Sequence, residues 1–588
     1  MSLAPSPLRL DLRDPPTDHE RPRRRWRVPA FVGLALAGAA VRAGLNGRVV
    51  NGGGWAGFVE FWTAAARPEL SAAFLRITWE ATLDTIGFAV LGTALSVAIG
   101  VAGAAFVSSA LWEDDGPGAT PVRLARRAAG VSARAALVVP RALHEVVWGL
   151  LAVQVLGFDP LVAVVAIGVP FGAITARVYG DILDDADPGP RRALRAAGAS
   201  RAAALLYGTV PLVRGDVTSY AFYRLECAVR SAAVLGIIGA GGLGFQLALS
   251  FQSLAYREIW TLLYALAALS TLADGWSGIV RRRQQSGHHD GADRDAAVRR
   301  RGHDPVLVGS IVAAVVLIGL SVRWTGVSPS TLVSRRARTL GPELLADLWP
   351  PRLDGTTLDA LWSASIDTLA MSGLAMALAA GPALGAAFLA ARSPGPLRLV
   401  VKGALLLTRA VPPPVWAFLA VLVLFPGIWP GALALALYNL GVLGRLGAEV
   451  VENLDDRPGR ALRAQGAGAL QSALYSTLPL AAARFTGLVA YRWEVAVRDT
   501  VMVGVVGAAG LGRLLSEQLA GRDYQGIAAT LAALTVLSAL VEAVGAALRR
   551  GLRRRSPELR RAGDGTAPPA PRRQPYTPPS TMKPWPVQ

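Results

Sequence analysis

The chain has 588 residues, 52% of them hydrophobic and only 17% charged, with a mean hydropathy of +0.40. That length would hold several soluble domains, but the apolar residues gather into runs near the length needed to cross a bilayer core of about 30 Å, which excludes an ordinary soluble protein. The net charge of +19 does not indicate nucleic acid, because the arginines cluster just outside the apolar runs, at Arg21 to Arg27, Arg281 to Arg283, Arg299 to Arg301 and Arg549 to Arg555, the pattern of a membrane protein under the positive-inside rule.

In chain order, residues 1–27 are Pro- and Arg-rich and read as a disordered basic tail. A first apolar run covers 28–44, and 45–77 reads as a Gly-rich and then amphipathic outer segment. Further spans are predicted at 82–112, 132–157, 160–180, 217–238 and 257–280. Residues 281–304 form a polar cytoplasmic linker, where His288 and His289 read as solvated rather than metal-binding. Spans resume at 305–323, 363–391, 399–426, 428–449, 484–506 and 524–548, before a second Arg- and Pro-rich tail at 550–588.

These elements predict an all-α integral membrane protein of about twelve transmembrane helices, arranged as two tandem six-helix repeats over 28–280 and 305–549. An even number of spans puts head, linker and tail on one side, and all three are strongly basic. Both termini are therefore expected in the cytoplasm, with the chain in the plasma or inner membrane of a bacterium. No cleavable signal peptide is evident. The single cysteine, Cys227, excludes an internal disulfide, and no metal site is predicted.

The halves repeat each other at an offset of 268 residues. Arg192-Ala193-Leu-Arg-Ala-Ala-Gly198 returns as Arg460-Ala461-Leu-Arg-Ala-Gln-Gly466, and thirteen residues after each glycine stands a proline, Pro211 and Pro479. The match continues through Tyr223-Arg224-x-Glu226-x3-Arg230 and Tyr491-Arg492-x-Glu494-x3-Arg498. It ends in the glycine segments Gly239-Ala-Gly-Gly242-Leu-Gly244 and Gly507-Ala-Ala-Gly510-Leu-Gly512. On the predicted topology, 190–212 and 458–480 lie inside the cell; they are too polar to cross the membrane.

The doubled segment resembles the cytoplasmic motif of importer-type ABC permeases: an acidic-Ala-Ala opening, a glycine, and an apolar-x-Leu-Pro ending. The resemblance implies that Arg192, Ala193, Gly198 and Pro211, and likewise Arg460, Ala461, Gly466 and Pro479, form short coupling helices that dock on ATPase subunits. The glycine would permit the turn between them. The sequence departs where the family has Glu, at Arg192 and Arg460, and Val210 replaces the leucine before the first proline. Among such permeases the chain is most similar to the phosphate/phosphonate family, here with both halves fused. That implies two ATPase subunits, an extracytoplasmic substrate-binding protein, and import of a phosphonate or related phosphorus oxyanion by alternating access. The chain would not be an enzyme.

Neither lysine, Lys402 nor Lys583, follows a glycine, so no phosphate-cradling P-loop occurs; ATP and magnesium are expected on the partner ATPases, and no cofactor on this chain. Alternatives are a permease for a different small solute, or an ion-coupled secondary transporter, a class that also contains repeats.

Charges inside the fifth span call for an explanation, because an arginine at mid-bilayer costs about 2.5–3.5 kcal/mol on insertion scales. One reading makes Tyr223, Arg224, Glu226, Arg230, Tyr491, Arg492, Glu494 and Arg498 a lining for an anionic substrate, since guanidinium matches phosphoryl oxygens. The other makes Glu226–Arg230 and Glu494–Arg498 intrahelical salt bridges, each pair being four residues apart on one helix face. Gly239-x-Gly241-x-x-Gly244 has the letters of a dinucleotide fingerprint but no strand-turn-helix context, and the second copy has Ala509 where the second glycine should stand; both segments read instead as flexible outer loops at the pathway mouth. Asp84 and Asp367 are expected to cap matching helices. His144-Glu145 aligns with Pro412-Pro413, predicting either a kink in one half or an asymmetric substrate site.

Overall fold

The computed structural model describes residues 27–44, 49–112, 121–285 and 305–555. Both expected tails, apart from their innermost residues, and the His288-His289 part of the linker lie outside these. Among the described residues the regular structure is helical, with one isolated β-bridge between Val50 and Leu424. Seven helices are long and apolar enough to cross a membrane, or ten if each of three sharply bent pairs counts as one span. The other two of the twelve expected segments are also helices. Phe31–Arg42 is short, and Leu478–Val505 is studded with charge at Arg484, Arg492, Glu494, Arg498 and Asp499.

The two bent spans at 132–157 and 399–426 depart from the prediction. The first is broken between Ala142 and Glu145 with a bend of 84°, the second between Ala410 and Pro413 with a bend of 91°. In the second half, Pro412, Pro413 and Pro414 lack the N–H groups a continuous helix needs. In the first, His144 leaves helical geometry and its Nδ1 accepts the Val146 N–H at 3.2 Å, capping the helix Glu145–Leu156. The kink is thus common to both halves, and the difference at this place is chemical.

Asp84 and Asp367 do not cap helices. Their helices begin earlier, Ala72–Val107 on Ser71 and Gly355–Arg392 on Asp354, so both aspartates sit mid-helix. They hold neighbours instead. Asp84 accepts from Trp324 Nε1 at 3.0 Å, and Asp367 from Arg42 Nε at 2.8 Å. Both contacts are crossed: the first helix of each repeat, Arg27–Arg42 or Pro305–Thr325, packs on the long helix of the other repeat. The Tyr256–Gln285 and Tyr524–Arg555 helices also run a turn or more past their expected ends, the arginines there being good helix formers.

Within each half the main packing pair is the long helix against the fourth span, Ala72–Val107 with Leu161–Asp185 and Gly355–Arg392 with Ile428–Glu452. Small residues allow the approach: a Cβ on Gly168 would meet Leu95, and one on Gly172 would meet Ile99, both under 3.0 Å. The apolar stretch of Leu161–Asp185 is 72% buried and that of Pro305–Thr325 only 11%, which separates inner helices from a peripheral ring whose Val312, Val315 and Val316 are left for lipid.

Candidate functional site

The repeated loops fold as two helix pairs. Gly189–Ala196 is followed by Arg201–Ala204, and Arg457–Ala464 by Ala469–Ser472. Gly198 and Gly466 stand between them at φ +86° and +89°. Each closes a Schellman turn: the Ala199 N–H donates to the Leu194 carbonyl at 3.0 Å and the Gly198 N–H to Arg195 at 3.1 Å, matched by Ala467 to Leu462 at 3.1 Å and Gly466 to Arg463 at 3.0 Å. Ser200 Oγ then accepts the Ala203 N–H at 3.2 Å, while in the second copy Gln471 Oε1 accepts the Gly468 N–H at 2.9 Å.

One wide π-helical turn, Leu205–Thr209 or Ala473–Thr477, leads into the long helices Val210–Leu235 and Leu478–Val505. Pro211 and Pro479 sit in the first turn of these, where no N–H partner is required. All eight predicted coupling residues are exposed, and beside them Tyr207 and Tyr475 are 73% and 78% exposed. The two copies solve one contact oppositely. A Cβ on Gly208 would lie 3.0 Å from the backbone of Arg191, whereas Ser476 fits in the second copy because Gly459 faces it.

The charges of the fifth span enter two clusters that cross between the halves. Glu226 lies 3.8 Å from Arg230, 3.6 Å from Arg281, 3.9 Å from Arg409 and 3.4 Å from Arg445. Asp274 joins it, paired with Arg409 and, at 3.3 Å, with Arg445. The repeat equivalents of these six are Glu494, Arg498, Arg549, Arg141, Arg177 and Glu542. They form a looser counterpart: Glu494 pairs with Arg549, Arg141 with Glu542 at 3.1 Å, and Arg498 Nη1 donates to the Arg141 carbonyl at 3.0 Å. Arg177 instead pairs with Asp181 at 3.7 Å. The Glu226–Arg230 contact therefore exists as one arm of several, and Glu494 takes Arg549 as its partner. Asp274, Arg281, Arg409 and Arg445 escaped sequence reasoning; their arginine and carboxylate equivalents at the 268-residue offset were a readable signal.

Deeper in, a chain of polar groups joins the halves. Arg492 Nε donates to Asn439 Oδ1 at 2.9 Å, and its Nη2 lies 3.6 Å from Asp499. Asp499 lies 3.7 Å from His144 Nε2, His144 lies 3.3 Å from Glu145, and Ser231 Oγ donates to Glu145 at 2.6 Å. Arg224, the counterpart of Arg492, is 6% exposed and stacks on Phe171, its guanidinium carbon 3.6 Å from the ring centre. Tyr223 and Tyr491 are both exposed, and the Tyr223 ring lies 5.7 Å from that of Tyr220.

The glycine segments are turns whose second parts are buried and hydrogen-bonded to the long helices, in place of the flexible loops expected from the sequence. In the first, Gly239, Gly241 and Gly242 adopt positive φ, and the Leu243 N–H donates to Thr85 Oγ1 at 2.9 Å. In the second, Gly507 and Gly510 do so, and the Leu511 N–H donates to Thr368 Oγ1 at 3.0 Å. Gly242, Gly244, Gly510 and Gly512 are buried, Gly239 is half-buried and Gly507 exposed. A Cβ on Gly244 would meet the Ala233 carbonyl, and one on Gly512 would meet Val501, so neither position admits a side chain.

A profile described as "Binding-protein-dependent transport system inner membrane component" matches residues 121–286 and 383–555. The chain is 30% identical over 479 residues to a phosphate-import permease protein of Mycolicibacterium smegmatis, covering 80% of this chain and 85% of that one. It is 38% identical over 188 residues to a phosphite transport system permease protein of Stutzerimonas stutzeri, covering 32% of this chain and 68% of that one. A putative cryptic phosphonate transport system permease protein of Escherichia coli is 35% identical over 109 residues, 18% of this chain and 89% of that one. No solved structure matches the chain significantly.

Proposed function

Because the chain belongs to the family of binding-protein-dependent transport system inner membrane components, and is a non-enzymatic multi-pass permease subunit of an ABC transporter, we propose that it imports a phosphorus oxyanion by alternating access between its fused halves. Phosphate, phosphite and phosphonate are tetrahedral anions of one chemistry, and the relatives named above carry one or another of them. One ATPase subunit would dock at each exposed helix pair, Gly189–Ala204 and Arg457–Ser472, where ATP and magnesium would reside on the partner. A substrate-binding protein would deliver from the opposite face. Both termini would lie in the cytoplasm.

The observation that carries this reading is the doubled, exposed, glycine-turned helix pair. Each pair runs through one π-helical turn into a long helix that bears a buried arginine, Arg224 or Arg492, so a push on the pair would reach the charged interior. An ion-coupled transporter needs no such paired docking surface. The test is growth of a deletion strain on phosphate, phosphite or methylphosphonate as sole phosphorus source, with affinity purification of the tagged chain. Loss of growth on at least one, and co-purification of an ATPase, are expected. Normal growth on all three would sink the substrate, and uptake by the purified chain alone down an ion gradient would sink the ABC mechanism.

A further inference from the structure

We propose that Arg224 alone, and not its repeat partner Arg492, is the cation that binds the transported oxyanion, so that the substrate site lies on one side of the pseudo-symmetric pair. The inference rests on the reading of the chain as a phosphorus-oxyanion permease and adds to it a named contact and an asymmetry.

The two arginines occupy equivalent positions, 268 residues apart, on helices that run alongside the boundary of the halves. Arg492 is spoken for: Asn439 accepts from its Nε at 2.9 Å, and the Asp499 carboxylate lies 3.6 Å from Nη2. The first copy has Phe171 where the second has Asn439, and Ser231 where it has Asp499. Phe171 offers the Arg224 guanidinium a ring face at 3.6 Å, which steadies it without accepting a hydrogen bond in its plane. Ser231 gives its own hydroxyl hydrogen to Glu145 at 2.6 Å.

Among the described residues no carboxylate therefore pairs with Arg224, and its Nε and Nη2 find no acceptor, although the residue is only 6% exposed. A buried cation with free in-plane donors is costly unless an anion completes it. Nε and one Nη form the fork that two oxygens of a phosphoryl group match. Tyr220 stands beside it as a hydrogen-bonding neighbour, and the Tyr223 ring lies 5.7 Å from that of Tyr220. One cation with a phenol beside it suits a small tetrahedral oxyanion that must be released again.

The test uses the full chain reconstituted in vesicles with its ATPase and binding protein, and measures ATP-driven uptake of inorganic phosphate, phosphite and methylphosphonate separately. Arg224→Gln is expected to cut uptake at least about 100-fold, on the scale of losing a charge-assisted bidentate contact. Arg224→Lys should restore part of it. The double variant Phe171→Asn/Ser231→Asp installs the second copy's partners around an intact Arg224 and should silence uptake as well. Melting temperatures separate this role from a structural one: Arg224→Gln removes an unpaired charge and should not lower Tm, whereas Arg492→Gln strands Asp499 and should lower it. Wild-type uptake by Arg224→Gln, or by the double variant, overturns the inference, as does a fall in Tm for Arg224→Gln matching that of Arg492→Gln. If the wild type moves none of the three anions, the functional reading itself fails.

Discussion

Arg445 of the second half reaches Glu226 of the first at 3.4 Å, inside the protein and across the boundary of the halves. With Arg409 it brings two cations of one half onto Glu226 and Asp274 of the other. In the counterpart cluster the equivalent residue, Arg177, turns to Asp181 on its own helix and leaves Arg141 as the crossing arginine. The two clusters share composition and differ in closure.

Removing Glu226 should therefore be the most damaging single change among these residues. Glu226→Ala leaves Arg230, Arg281, Arg409 and Arg445 facing one remaining carboxylate, and stranding buried charge costs about 3–5 kcal/mol. Glu494→Ala, in the looser cluster, is expected to cost less. Thermal unfolding in detergent compares the two, and equal losses would contradict the asymmetry of closure.

Gly198 and Gly466 are at positive φ with open space around them, so the penalty of a side chain there is conformational and not steric. Any other residue should lose about 1–2 kcal/mol locally, the cost of the left-handed region for an L-residue. Gly198→Val with Gly466→Val should leave the membrane fold intact while ATP-driven uptake falls, because the loosened helix pair no longer passes on a push. Uptake at the wild-type rate in the double variant would refute the coupling role.

Thr85 and Thr368 each accept the N–H that opens the helix after a buried glycine turn. Thr→Val keeps the shape and removes the acceptor, so each change should cost about 1–3 kcal/mol for an unsatisfied buried amide. The backbone amides of 243 and 511 should exchange faster in the respective variants. Unchanged protection there would mean that the threonines do not hold the turns.

Asp456 introduces an acid dependence into the second helix pair only, since Pro188 stands in its place in the first. Burial pushes its carboxyl up, but the hydrogen bond from Arg463 and the charges of Arg392, Arg463 and Arg460 outweigh that and hold it below the usual carboxylate range. A pKa depressed on folding gives stability that is complete above the unfolded value of about 3.9 and is lost as pH falls through the folded value. Hydrogen exchange in 457–472 should thus rise below about pH 4 more than in 189–204, the threshold being the unperturbed Asp pKa. Asp456→Asn should show the raised exchange already at neutral pH. Equal acid response in both pairs would remove Asp456 from this role.

The sequence by itself determined the class, the duplication and the glycine-turned loops. Apolar runs, a fixed 268-residue offset and the φ a glycine supplies are all local or periodic, and local properties survive without knowledge of the neighbours. It also located Arg224 and Arg492 as charges needing a reason. What it lacked was every relationship that depends on which helix lies beside which. Asp84 and Asp367 looked like caps because the apolar runs began there; only the packed structure extends their helices and hands them Trp324 and Arg42 from the other repeat. The glycine segments looked mobile because a stretch of glycines and alanines reads as a loop until threonines on a distant helix bond its amides. The difference between Arg224 and Arg492 is of the same kind. Both stand in matching sequence, and their partners, Phe171 against Asn439 and Ser231 against Asp499, separate them only once tertiary packing has decided what each guanidinium can touch.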